Sequence, residues 1–273
     1  MQSKSNIRST LRKKRQMGLI KKVVYTFIFI LFFASLAILG LTTEQVKIKD
    51  IKVLGNSSIS SDEIIKLSTP EVNTKYLWII PTDNIFLLRG KEIKSAILDN
   101  FKKINTVRIA TQGFDKLKIV VTERVAKDIW CKGTPVNPGS CYFMDVNGYI
   151  FEEAPTFSGN SFPKYFGLIT DVSPIGQNYF TDKQFKTLSS LFSVLNNMNF
   201  SLTSFNAVDE NEYEAMITGG GKILLNNKST FNQQITNLQA LIDNNYIKTA
   251  SSSLAKIKYI DLRYGNKVNF QLK

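Results

Sequence analysis

Nineteen consecutive residues, 23–41 (VVYTFIFILFFASLAILGL), carry no charged side chain, and this run limits the chain more tightly than any other. As a helix rising 1.5 Å per residue it is about 28 Å long, close to the hydrocarbon thickness of a bilayer. Thirteen of the nineteen are Val, Ile, Leu or Phe, which favours insertion by up to about 4–8 kcal/mol. A helix buried in a soluble core is rarely apolar on every face. The run predicts a transmembrane helix over residues 23–42. A cleaved signal peptide is the competing reading, with Ser35-Leu36-Ala37 as a faint small-x-small site. The apolar run, however, is longer than the 7–15 residues usual there.

The flanks set the orientation. Residues 1–22 hold eight Lys and Arg and no acid, whereas Lys47, Lys49 and Lys52 beyond the run are mixed with Glu44 and Asp50. Basic flanks stay in the cytoplasm, so residues 1–22 read as a cytoplasmic tail and the rest as external. The tail supplies eight of the thirteen net positive charges. No basic stripe is left in the remainder to bind nucleic acid, so the expected charge partner is the lipid bilayer.

The chain has no histidine, which excludes Ser-His-Asp and Cys-His arrangements and the usual catalytic zinc sites. The only cysteines, Cys131 and Cys141, fall on the external side. Two thiols without histidine make a poor metal site, and an oxidising exterior favours a disulfide. Closing that loop is worth about 2.7 kcal/mol in the chain-entropy model. No cofactor is implied.

Beyond the membrane, residues 46–54 alternate apolar and polar as a half-buried strand does, and Gly55-Asn56 ends it. Ser60 and Glu63 form a capping box ahead of Ile64, Ile65 and Leu67. A longer connection passes through Pro70 and Pro81, with Leu77-Trp78-Ile79-Ile80 as a strand or covering loop. Residues 91–101 predict a second helix, with Ile93, Ile97, Leu98 and Phe101 on one face. Alternating strands follow at 105–111 and 116–123. The order strand-helix-helix-strand-strand is an α+β arrangement.

These residues carry a resemblance. Val53-Leu54-Gly55-Asn56-Ser57-Ser58-Ile59-Ser60 resembles the V-x-G-N-x-x-[IV]-S opening of a POTRA domain, and Asn84-Ile85-Phe86, Thr106-Val107-Arg108 and Ile119-Val120-Val121-Thr122-Glu123-Arg124 resemble its later landmarks. After one apolar span and a basic tail, the order resembles the FtsQ/DivIB family of bacterial division proteins. The Pro usual soon after Glu-Arg is replaced by Val125-Ala126-Lys127. The resemblance implies a POTRA domain at 43–124 and a C-terminal β-rich partner-binding domain with flanking helices at 125–273.

The remainder agrees. Residues 125–130 read as a strand, and Asn147-Gly148 between apolar flanks is a strong hairpin signal; Asp145 and Gly148 also resemble the family's D-x-x-G turn. Phe162-Pro163-Lys164-Tyr165-Phe166-Gly167 resembles its P-x-x-x-G segment. Residues 181–200 predict a helix facing inward through Phe185, Leu188, Phe192, Leu195 and Met198. Strands meet at Gly219-Gly220-Gly221, and a helix capped by Thr230 and Gln233 turns Phe231, Ile235, Leu238 and Ile242 inward. Strands at 257–263 and 267–272 close the chain around Gly265-Asn266, and Tyr259-Ile260-Asp261-Leu262-Arg263-Tyr264 resembles the family's terminal DLRY strand.

Asp145 and Asp261 could be paired catalytic carboxylates, and serine and lysine are plentiful enough for a Ser/Lys hydrolase. Simpler roles fit better: Asp145 sits where a turn needs an Asx side chain, and Asp261 lies inside a strand. No Ser-Met-x-Pro motif is present, and Gly219-Gly220-Gly221 lacks the Lys-Ser/Thr of a phosphate loop. The expectation is a non-enzymatic scaffold. The resemblance implies that it binds FtsB/FtsL (DivIC)-type coiled-coil division proteins and other divisome membrane proteins, enriched at the septum of the cell membrane. Tyr259, Asp261, Arg263, Tyr264, Lys267, Asn269 and Phe270 are the candidate contacts, Arg263 and Tyr264 matching the family's contacting positions. A POTRA-bearing envelope-assembly or secretion protein is the alternative. The topology reading predicts that an impermeant thiol reagent, given to reduced cells with a permeable wall, labels Cys131 or Cys141. Labelling that requires membrane lysis reverses the orientation.

Overall fold

The computed structural model describes residues 3–41, 43–72, 75–76, 80–81, 83–155, 162–247 and 256–273. Two compact units divide the chain, 1–122 and 123–273. The fold is α+β, with an apolar N-terminal helix, an α/β region and a C-terminal sheet with helices.

Helix α1 (Ser3–Leu41) is continuous through the basic segment and the apolar run. Lys and Arg are good helix formers, so the change from charged to apolar does not interrupt it. Residues Met17–Leu41 are long and apolar enough to cross a membrane, with none of that span buried in the protein. The helix is therefore a candidate membrane anchor.

After α1 come β1 (Asp50–Leu54), α2 (Ser61–Val72), a short antiparallel pair β2 (Lys75–Tyr76) and β3 (Ile80–Pro81), α3 (Gly90–Asn100), β4 (Ile104–Gln112) and β5 (Lys116–Glu123). The sheet order is β1-β5-β4, with β1 parallel to β5 and Val53 opposite Ile119. The fixed residues of the V-x-G-N motif each have a physical task. Val53 is in the core. Gly55 has φ +84°, and a Cβ there would lie 2.2 Å from the Val121 carbonyl oxygen, so only glycine fits. The Asn56 amide donates to the Ile59 carbonyl at 2.8 Å and the Ser61 hydroxyl at 3.1 Å. Ser60 Oγ accepts from the Asp62 N–H at 3.2 Å while Glu63 accepts from the Ser60 N–H at 3.3 Å, a capping box at the start of α2. Asn84 is fully buried; its side chain accepts from the Phe86 N–H and donates to the Leu41 carbonyl at the end of α1.

Two expectations need correction here. The first strand begins at Asp50 rather than at residue 46, and Lys47 contributes only a single bridge to Asn84. Pro70 lies inside α2, not in the connection after it. It falls in the last turn, where the missing N–H costs one intrahelical bond close to the helix end. The apolar run at 77–79 lies outside the described residues.

The second unit is built on a nine-stranded sheet. Its strands are β6 (Asp128–Gly133), β7 (Pro138–Met144), β8 (Ile150–Ala154), β9 (Lys164–Gly167), β10 (Leu202–Ala207), β11 (Glu212–Ile217), β12 (Lys222–Asn226), β13 (Ile257–Tyr264) and β14 (Lys267–Leu272). Their spatial order is β14-β13-β12-β11-β10-β9-β6-β7-β8. The pairs β6–β9, β9–β10 and β12–β13 are parallel, so the sheet is mixed. Helices α4 (Asp182–Asn197) and α5 (Phe231–Asp243) contribute Phe185, Leu188, Leu191, Leu195, Leu238 and Leu241 to a core shared with Tyr165, Phe205, Ala215, Ile223 and Ile260. Thr181 and Gln184 form a full capping box on α4, and Thr230 caps α5 by accepting from the Gln233 N–H. The expected inward residues of α5 all pack on the core, Leu238 fully and Phe231, Ile235 and Ile242 in part, and Gln234 and Leu241 are buried beside them. Gln234 bonds the Asn226 carbonyl at 2.8 Å, which lets an amide occupy the core.

The strand expected at 125–130 starts at Asp128, and Val125 is exposed. Ile129, Trp130 and Cys131 are all buried because β6 is covered on both faces, so it shows no alternation. Cys131 and Cys141 are direct cross-strand partners in the β6–β7 hairpin, joined by a disulfide with Cα atoms 4.0 Å apart. The staple thus crosses a ladder whose turn, at 134–137, is itself hydrogen-bonded. Asp145 closes the β7–β8 turn, Oδ1 accepting from the N–H groups of Asn147 at 2.8 Å and Tyr149 at 3.1 Å. Its other oxygen takes Arg124, whose guanidinium stacks 3.8 Å from the Tyr149 ring centre. A Cβ on Gly148 would strike the Phe185 ring at 2.5 Å, so this turn also seats α4.

The α3 packing gives a stability test. Ile97 is fully buried and Lys94 exposed. Ile97→Asp puts an unpaired carboxylate in the core and should cost at least about 3 kcal/mol, whereas Lys94→Asp should stay within about 0.5 kcal/mol. Urea unfolding of the detergent-solubilised chain measures both, and equal effects would misplace the helix face.

Candidate partner-binding edge

Strand β14 ends the nine-stranded sheet. It pairs antiparallel with β13, Asn269 opposite Asp261 and Phe270 opposite Ile260. Gly265-Asn266 makes the turn, held by the Asn237 amide of α5, which donates to the Gly265 carbonyl. The Lys273 N–H donates to the Lys256 carbonyl at 2.7 Å, so the backbone of Lys273 faces β13. Both register shifts in this pair place their extra residue on β13, which leaves β14 regular. Neighbouring residues of an extended strand direct their backbone groups to opposite edges. Gln271 and Asn269 therefore bond inward, and Leu272, Phe270 and Val268 present N–H and C=O groups at the free edge.

The same alternation puts the side chains of Val268, Phe270 and Leu272 on the face of Ile260, the face covered by the helices. Val268 packs on the core, while Phe270 and Leu272 remain 37% and 50% exposed. Asn269 and Gln271 share the opposite face with Asp261. An open backbone edge beside an apolar strip has what a partner strand needs: main-chain hydrogen bonds for affinity and side-chain contacts for selection.

The adjoining charges are arranged differently from a ready-made acid receptor. Arg263 Nε and Nη2 donate to Asp261 Oδ1 at 2.9 Å and Oδ2 at 2.7 Å, and Nη1 donates to Glu212 Oε2 on β11 at 2.7 Å. The Asp261 hydrogen bonds push the Arg263 pKa further up, so the guanidinium stays charged. Asn226 of β12 donates to the Arg263 carbonyl at 3.0 Å. Asp261 is buried and spent on Arg263, so its place is behind the surface. Arg263 is engaged within the chain rather than held out as a free fork. Tyr264, Lys267, Asn269 and Phe270 are exposed along the edge, and Tyr259 is half-buried on β13. Glu212, Val268 and Leu272 are not among the sequence candidates. The V-N-F-Q-L alternation could have found the last two, but nothing local marks Glu212, fifty-one residues from its partner. Among the described residues, no group of three or more His, Cys, Asp and Glu is placed to hold a metal ion.

The clamp has a measurable role. Arg263→Ala strands the Asp261 carboxylate, whose side chain is 7% exposed, and should cost about 2–3 kcal/mol. Tyr264→Ala, at an exposed position, should stay within about 0.5 kcal/mol. The shift in urea midpoint decides, and an Arg263→Ala chain of unchanged midpoint would make the clamp energetically idle.

Comparison with known families places residues 46–124 in the POTRA domain, FtsQ-type. The matched segment runs from just before β1 to Arg124, and it supports an FtsQ/DivIB-type POTRA protein of bacterial cell division. No curated protein matches the chain.

Proposed function

We propose that this chain is a non-enzymatic, single-pass scaffold of the bacterial divisome, with residues 1–22 cytoplasmic and everything beyond α1 external. It joins other divisome membrane proteins and binds an FtsB/FtsL (DivIC)-type coiled-coil complex. The observation that carries the binding reading is the open edge of β14, with outward backbone groups at 268, 270 and 272 and the partly exposed side chains of Phe270 and Leu272. A partner strand laid along β14 extends the sheet and covers those two side chains. Its recognition is by backbone and apolar contact, since Arg263 is already paired. The FtsQ-type POTRA match supports the division role. Within that domain, an open groove beside edge strand β4, bordered by Ile85, Leu88, Lys91, Lys94 and Arg108, offers a second, basic contact surface for recruitment.

Proline substitution separates binding from folding. Phe270→Pro removes an N–H that faces outward and should weaken affinity for the purified FtsB/FtsL-type complex at least about tenfold with the fold intact. Asn269→Pro removes an N–H that faces β13 and should cost about 3 kcal/mol of stability. Circular dichroism is the folding control. A folded Phe270→Pro chain of unchanged affinity removes β14 as the site. A fluorescent fusion that spreads evenly over the membrane instead of gathering at the septum removes the division role.

A further inference from the structure

Between α4 and the strands β6 and β9 lies a cavity of about 270 Å³. Asp128 opens β6 and Tyr165 is in β9; they are 6% and 2% exposed. Tyr165 is the register partner of Trp130, two residues after Asp128, so all three side chains lie on the face that α4 covers. Phe192 of α4 supplies an apolar wall, and Ser189, Ser193 and Asn196 a polar rim. The rim is internally bonded: Ser193 donates to the Ser189 carbonyl and Ser201 to Asn196 Oδ1, both at 3.1 Å. The two buried groups are not. Among the described residues, neither the Asp128 carboxylate nor the Tyr165 hydroxyl has a hydrogen-bond partner, and Lys127 makes no ion pair with Asp128.

A carboxylate at 6% exposure with no protein donor beside it ionises less readily than one in open solvent. Burial pushes its pKa up to about 6, and the neighbouring Lys127 pulls only the other way. Lys127, Asp128 and Tyr165 are the titratable groups that line the cavity. Its depth therefore offers acceptors, a carboxylate and a phenol oxygen, between aromatic walls. An ammonium group has three donors and no acceptor, and its aliphatic stem suits such walls. We propose that this cavity binds a primary ammonium on an aliphatic stem, as a lysine-type side chain carries, with Asp128 receiving the ammonium and Tyr165 and Phe192 flanking the stem. The site is remote from the β14 edge in the strand order and does not depend on it.

The test is an NMR titration of the isotope-labelled full chain in detergent micelles with N-acetyl-lysine N-methylamide, using N-acetyl-norleucine N-methylamide as the uncharged control. Saturable shifts at Asp128, Tyr165 and Ser193 are expected with the lysine probe alone. Asp128→Asn should weaken binding at least about tenfold. Affinity at pH 5 should be about tenfold below that at pH 7.5, because a carboxyl titrating near 6 is mostly protonated at the lower value. Ser193→Trp, at an exposed rim position, should block entry and provides an independent measurement if Asp128→Asn fails to fold. No saturable shift in the parent chain, as when water alone fills the cavity, overturns the proposal. So does an equal response to the norleucine probe, or binding unaffected by a folded Asp128→Asn or Ser193→Trp chain.

Discussion

Burial of one face of the nine-stranded sheet beneath α4 and α5 is the constraint on which the second unit depends. The aromatic set Tyr165, Tyr179, Phe192, Phe205 and Tyr213 fills that layer with ring-to-ring contacts of 5.4–6.4 Å. Such rings add geometric preference to a large apolar area, so they fix where the helices lie as well as how firmly. Gly148 and the Asp145 turn seat the beginning of α4, and Gln234 ties α5 to the end of β12. Among the described residues α4 and α5 lie on this sheet, α5 touching β13 and β14, and Phe270 and Leu272 of the outermost strand stay partly exposed.

Sequence reading succeeds where one residue determines its own surroundings. Gly55, Asn56, Ser60 and Glu63 act within a few residues of each other, and the two capped helices of the second unit are legible from Thr181 and Thr230. The α3 face is legible because a single sheet lies under it. Periodicity fails where two surroundings compete. Strand β6 is covered on both faces and shows no period of two, so periodicity places its start too early. On α5 the expected apolar residues do pack on the core, but periodicity does not mark Gln234, a fully bonded amide set among them.

The candidate edge is legible as the last strand but not in its chemistry. Asp261 and Arg263, two apart on one strand, are legible as charged residues; only the fold brings Glu212 to the same guanidinium. That third partner changes the meaning of Arg263 from an advertised cation to a brace between β13 and β11. The backbone polarity of β14 is likewise invisible until the Lys273–Lys256 hydrogen bond fixes which residues face outward.

The β13–β14 ladder also has a mechanical consequence. A strand added alongside β14 and pulled along its own axis loads that ladder in shear, so its hydrogen bonds resist together rather than opening one at a time. The load passes from β14 into β13, which the Arg263 brace fastens across β12 to β11. Tension along the added strand is thereby shared among four strands of the sheet, and the joint yields most easily to a force directed across the strands, which opens the β13–β14 ladder one bond at a time.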